Sequence, residues 1–140
     1  MKTKVLFIAA VLLLVGASLL VLPASATTAQ HIKVTPNTGL VLGSKVTVTG
    51  SGFKHHEALY IVECAIGATG AAKCDITGTE PVTTTATGAL PPTMFRVVTG
   101  KIGSARCGTT KANANRCDIS VGTATGTDTA TFRIGFKIKK

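Results

Sequence analysis

From His31 onward the chain alternates apolar and polar residues in short runs, and none carries the 3.6-residue period of an amphipathic helix. His31–Thr35 puts Ile32 and Val34 on one face. Lys45–Thr49 sets Val46 and Val48 against threonines before Gly50-Ser51-Gly52 breaks the run. Leu59–Cys64 is richer in apolar groups; a strand there turns Leu59, Ile61 and Glu63 one way and Tyr60, Val62 and Cys64 the other. Pro81–Ala86 is a threonine and valine run that Pro81 confines to a sheet edge. Thr93–Val98 follows. Cys117–Val121 turns Cys117, Ile119 and Val121 inward and Asp118 and Ser120 outward. Ala130–Ile138 gathers Phe132, Ile134, Phe136 and Ile138 on one face, with Thr131, Arg133 and Lys137 on the other.

Between these runs stand turn residues. Pro36-Asn37-Thr38-Gly39 combines a proline preset for a bend with a glycine free to take positive φ. Gly67-Ala68-Thr69-Gly70 and Thr87-Gly88 are turns, Pro91-Pro92 reads as a stiff connection, and Gly100–Gly108 reads as a basic loop. About seven short strands at regular spacing predict an all-β fold, a seven-stranded antiparallel immunoglobulin-like sandwich.

The first 26 residues have another character. Lys2 and Lys4 precede an apolar run of 18 residues, Val5–Leu22, and Ala24-Ser25-Ala26 supplies the small residues of a cleavage site. Residues 1–26 therefore read as an N-terminal signal helix and 27–140 as the exported domain. The run is also long enough for an uncleaved anchor, with the domain held at the outer face of the membrane. Gly16, Ser18 and the Ala-Ser-Ala site favour cleavage and secretion, and a cleaved domain is expected to be a monomer without stable membrane association.

Four cysteines fit that oxidising destination. Cys64 and Cys74 are ten residues apart, and so are Cys107 and Cys117. The repeated spacing suits two hairpin staples and favours Cys64–Cys74 with Cys107–Cys117 among the three possible pairings. A zinc site on all four fits poorly, because zinc prefers cysteine pairs two to four residues apart.

With Lys2 and Lys4 set aside, 13 basic residues face six acidic ones. A positive balance favours anionic partners such as nucleic acid, wall polymers or lipid head groups. Arg106, Lys111 and Arg116 bracket the second cysteine pair and are candidate phosphate contacts, although no aromatic stands among them to stack on bases. Lys137, Lys139 and Lys140 form a basic tail. His55-His56-Glu57 reads as an exposed turn, since neighbouring side chains on extended chain point apart and do not chelate together. The cysteines are spoken for, the three histidines all precede Glu57, and no pair of carboxylates stands out, so the reading is a non-enzyme without a metal.

VTPNTGL (Val34–Leu40), KVTVTGSGF (Lys45–Phe53), YIVECA (Tyr60–Ala65), the return at Cys74, the pair Cys107 and Cys117, and ATFRIGF (Ala130–Phe136) together resemble the neocarzinostatin family. The likeness runs from about Ile32 to Phe136. The resemblance implies a seven-strand sandwich with a cleft beside the first bridge. It also implies an antibiotic-related apoprotein that holds a small apolar, non-covalent enediyne-type chromophore, with DNA as the downstream target. Matched by position, the cleft would be built on Cys64 and Cys74 with Ile66, Ala72, Thr79, Asp118 and Ser120. Ile66, Ala72 and Thr79 stand where the family carries bulky groups, so a smaller or more aliphatic ligand is expected. The segment from Gly88 to Cys107 is short for the family, and the family's best-known members are acidic where this chain is basic. A different class remains open: a structural or adhesive module of the cell envelope, which side chains filling the cleft would favour.

Overall fold

The structure, a computed structural model, describes residues 28–139. The reading of residues 1–26 as a signal segment lies outside them. No helix among the described residues is long and apolar enough to cross a membrane.

Seven strands form two antiparallel sheets. One sheet has the order β1-β2-β5, with β1 at His31–Thr35, β2 at Lys45–Ser51 and β5 at Leu90–Arg96. The other has the order β4-β3-β8-β9, with β3 at Ala58–Ala65, β4 at Glu80–Thr83, β8 at Cys117–Gly122 and β9 at Ala130–Ile134. The inward positions are the ones alternation selects. Ile32, Val34, Val46, Val48 and Phe95 of the first sheet pack on Leu59, Ile61, Ile119, Val121 and Ile134 of the second. The sheets also meet at one edge, where the Leu40 N–H donates to the Gly135 carbonyl and the Lys137 N–H to the Leu40 carbonyl.

The structure departs from the sequence reading in four places. β2 continues through Gly50 and Ser51, with an irregular register against β5 between Val48 and Gly50. β5 begins at Leu90 and takes in Pro91 and Pro92. It is an edge strand, so two residues without an N–H can be tolerated there. The segment Gly100–Gly108, read as a loop, is a two-stranded ribbon, β6 at Gly100–Ile102 and β7 at Ala105–Cys107, joined by Gly103-Ser104. Gly103 takes φ +52 and lies so close to the Ala72 carbonyl that a side chain has no room. Finally, β4 stops at Thr83, and β9 at Ile134, although Phe136 stays buried as its pattern requires. β4 is indeed the edge strand that Pro81 predicts.

Both disulfides are present: Cys64–Cys74 and Cys107–Cys117. The first is not a plain hairpin staple. After Ala65 the chain makes two short 3-10 turns, Ala71–Lys73 and Ile76–Gly78, and Cys74 returns against Cys64 through a single antiparallel bridge. The second ties the ribbon to the start of β8.

Candidate functional site

The inner face of β3 belongs to the core; its outer face is the floor of a cleft of about 560 Å³. Register builds the floor. Tyr60 lies opposite Gly122, Val62 opposite Ser120, and Ser120 opposite Thr131 on the next strand. One wall is the loop that Cys64–Cys74 pins down, presenting Ala68, Ala71 and Ile76. The other is the β8–β9 turn, where Thr123–Gly126 line the cleft and the Thr123, Thr125 and Thr127 hydroxyls bond one another at 2.9–3.3 Å. Among the described residues, no charged side chain lines the cleft. Its apolar surface is Tyr60, Val62, Ile76 and the disulfide, and its polar surface is hydroxyl groups. Tyr60 and Ile76 are 40% and 64% exposed, large apolar groups left uncovered on the cleft side.

Of the residues matched by position, Cys64, Cys74, Thr79 and Ser120 line this cleft, and Ile66, Ala72 and Asp118 do not. Ile66 is engaged at the end of β3, where its N–H donates to the Arg116 carbonyl. Ala72 turns its carbonyl to the ribbon and accepts from the Ser104 N–H at 2.8 Å. Asp118 shares the floor's face but sits opposite Cys64, beyond the cleft, ion-paired to Arg133 at 3.6 Å. Thr79 also has a structural duty, because its hydroxyl donates to the Ile76 carbonyl. The residues that position-matching does not name include Tyr60, Val62, Ile76 and Thr131. For Tyr60 and Val62 the signal was in the alternation, which puts both on the face of Cys64.

The candidate phosphate contacts do not form one built site. Arg106 is exposed on β7 opposite Lys101, and Lys111 and Arg116 are exposed on the connection between β7 and β8. Asn113 between them folds that connection, its Oδ1 accepting from the N–H groups of Thr109 and Thr110 at 2.8 Å.

Two acidic clusters lie off the cleft. Glu63 is fully buried on the core face of β3. One carboxylate oxygen accepts from the Val98 N–H at 2.8 Å; the other is buried with no partner among the described residues. The carboxylate lies within 4.8 Å of the sulfurs of Cys107 and Cys117. Burial, with help from the Asp75 charge and against the Val98 hydrogen bond, raises its pKa from 4.5 to about 7. In the second cluster two carboxylates come together, although no such pair stands out in the sequence. Glu57 and Asp128 meet at Lys54, whose Nζ lies 3.5 Å from Glu57 and 3.8 Å from Asp128. The Asp128 carboxylate beside it, then burial, hold Glu57 above the usual carboxylate range, against the nearby Lys54 charge. Its interaction with Glu57, with the Lys54 N–H and charge and Gln30, holds Asp128 below it against the effect of burial. His55 and His56 are exposed beside this clasp, as a turn predicts.

The comparisons with known proteins agree with this architecture. The model of the neocarzinostatin family matches residues 32–136. Macromomycin from Streptomyces macromomyceticus is 31% identical over 110 residues, spanning 75% of this chain and 76% of that protein. The solved structure of macromomycin superposes with a TM-score of 0.61 at 27% identity, covering 78% of this chain and all of that one. The solution conformation of apokedarcidin superposes with a TM-score of 0.52 at 27% identity, covering 78% of this chain and 99% of that one.

Proposed function

The chain belongs to the neocarzinostatin family, and from that premise we propose that it is a carrier apoprotein. It holds a small, uncharged, largely apolar chromophore of enediyne type, non-covalently, in the cleft beside Cys64–Cys74. Members of the family are carriers of such chromophores rather than enzymes. The observation that carries the reading for this chain is the open, uncharged cleft with Tyr60 on its floor. An ionised ligand would leave its water there and find no counter-charge, whereas a neutral one gains from every apolar surface it covers. Side chains filling the cleft would have favoured the adhesive module; the open floor supports the carrier.

Tyr60 also changes the expected ligand. The reading by position leaves no aromatic surface, but one ring can stack one flat group against the disulfide. One planar unit with aliphatic or hydroxylated flanks therefore suits the cleft better than a ligand with several stacked rings. Export, with release of the ligand towards DNA, belongs to the same proposal.

Native mass spectrometry of the protein recovered from its producing culture tests this. A small-molecule adduct that is lost on denaturation is the expected result. Protein found only at its own mass, together with no uptake of a neutral naphthoate-ester probe, would overturn the carrier reading.

A further inference from the structure

The outer face of the β1-β2-β5 sheet takes no part in the cleft, and its charge is one-sided. It presents Lys33 from β1, Lys45 and Thr47 from β2, and Met94 and Arg96 from β5. None of the six acids stands there. Glu57 and Asp128 are in the clasp, Glu63 is in the core, Asp118 faces Arg133, and Asp75 and Glu80 flank the turn that leads into β4. Lys45 and Arg96 are directly opposite each other across the two strands. Like charges in that position cost stability. Among the described residues, every ion pair uses Lys54 or Arg133, so no carboxylate relieves them.

This face ends on the turn from Leu40 to Ser44. Leu40 is buried, but Val41 is 44% exposed and Leu42 68% exposed. The turn is firmly held. The Val41 N–H donates to the Ser44 hydroxyl at 2.9 Å, and the Gly43 N–H and Ser44 carbonyl bond Val97 from both sides. Gly43 takes φ +79, which lets the chain reverse there. Three basic residues flank this turn along the backbone. The Arg96 guanidinium donates to the Gly43 carbonyl at 3.2 Å, Lys45 follows Ser44 in the chain, and the Lys137 N–H donates to the Leu40 carbonyl at 2.8 Å.

We propose that this turn and the basic sheet face form a peripheral docking surface for an anionic lipid bilayer. Val41 and Leu42 enter the boundary between head groups and acyl chains, and Lys45, Arg96 and Lys137 rest among the phosphates. A rigid aliphatic tip flanked by basic residues matches both layers of such a surface. A nucleic acid would answer the cations and leave the tip in water. The β6–β7 ribbon supplies the contrast inside the molecule: Lys101 faces Arg106 there, with no exposed large aliphatic beside them. Two side chains bury too little to anchor a protein, so the docking is reversible, consistent with the expected lack of stable membrane association.

The test uses the full chain, so that residues 5–22 are common to every variant. Partition is measured on phosphatidylglycerol-containing vesicles and on pure phosphatidylcholine vesicles. Binding to the anionic vesicles should fall roughly fivefold for each of Lys45→Gln and Arg96→Gln. It should fall at least about tenfold for Leu42→Asp, while Arg106→Gln changes it by less than the sheet variants do. Bicelles doped with spin-labelled lipid give a local readout: the Val41 and Leu42 methyl signals should broaden more than that of Met94. Three results would overturn the proposal. They are equal binding to both vesicle types by every variant, Leu42→Asp binding like the parent, and unbroadened Val41 and Leu42 signals. Duplex DNA that competes with vesicles and binds Leu42→Asp as tightly as the parent would make this a nucleic-acid surface instead.

Discussion

Cys64–Cys74 and Cys107–Cys117 each join residues ten apart, so the chain-entropy argument gives them the same worth, roughly 3 kcal/mol. Their surroundings differ. The first bridge sits on the outer face of β3, forms part of the cleft floor and keeps the 3-10 loop in place as a wall. The second sits on the core face of the same sheet, with both cysteines fully buried, and shares its pocket of protein with the buried Glu63. The strand between them explains the division: Glu63 and Cys64 are neighbours, so they point to opposite faces of one sheet. On the proposed function, one side of β3 serves stability and the other the ligand, and perturbations should separate them.

The largest effect is expected from removing the buried bridge. Cys107→Ala with Cys117→Ala loses the loop constraint and leaves a void in the core, together about 4–5 kcal/mol. That is a large share of a small domain's stability. Urea unfolding measures it. If this double variant were no less stable than Cys64→Ala with Cys74→Ala, the contrast between the two regions would fail.

Next is the pH dependence that Glu63 brings. Its folded pKa, about 7, is raised above the ordinary 4.5. A raised acid contributes stability that is complete below about pH 4.5 and is lost as pH rises through about 7, up to ~3 kcal/mol in all. Glu63→Gln keeps an acceptor for the Val98 N–H and cannot ionise. Thermal unfolding of parent and variant should therefore diverge between about pH 5 and 8, with the variant the more stable at the upper end. Parallel curves would mean that Glu63 does not ionise in this window.

Removing the cleft bridge should cost less, about 2–3 kcal/mol, because its surroundings can relax into solvent. Its larger consequence is functional: the wall carrying Ala71 and Ile76 loses its tether, and ligand retention should fall with it. Stepwise reduction and alkylation followed by peptide mapping gives the same comparison without mutation. Cys64 and Cys74 should be labelled first, and a peptide linking Cys64 to Cys107 or Cys117 would contradict the pairing.

What was legible in the sequence follows the same division. In strands of five or more residues the buried face was legible, because alternation is imposed by the sheet itself, although the ends of β2, β5 and β9 were not. The ribbon was missed because three residues a side give alternation nothing to repeat, although Gly103-Ser104 is a two-residue hairpin signal. Alternation put Glu63 on the face of Leu59 and Ile61, yet nothing local says that a carboxylate there is sealed from water. That takes the Val98 N–H and the second bridge, both distant in sequence. The Glu57–Asp128 clasp was invisible for the same reason, since a turn before β3 and a turn before β9 meet only in the folded chain. At the cleft, of the residues matched by position, Thr79 and Ser120 line it, and Ile66, Ala72 and Asp118 do not. The loop after Cys64 coils into 3-10 turns, which rotate Ala72 towards the ribbon.

The smallest expected effect bears most directly on the cleft. Tyr60 is the one aromatic on its floor, 40% exposed and free of any core duty that the inner face of β3 performs. Tyr60→Ala should therefore leave unfolding nearly unchanged, within about 0.5 kcal/mol for a surface position. It also removes the one stacking surface, a contact worth about 0.5–1.5 kcal/mol beyond area burial. Affinity for a neutral aromatic probe should then fall roughly two- to tenfold. Tyr60→Phe keeps the ring and should bind within about twofold of the parent, unless the phenol hydroxyl bonds the ligand. Titration by fluorescence or calorimetry distinguishes the three proteins. Equal affinity in all of them would place the ligand away from Tyr60. A large loss of stability in Tyr60→Ala would show that the outer face of β3 also supports the fold, and the division between its two sides would have to be given up.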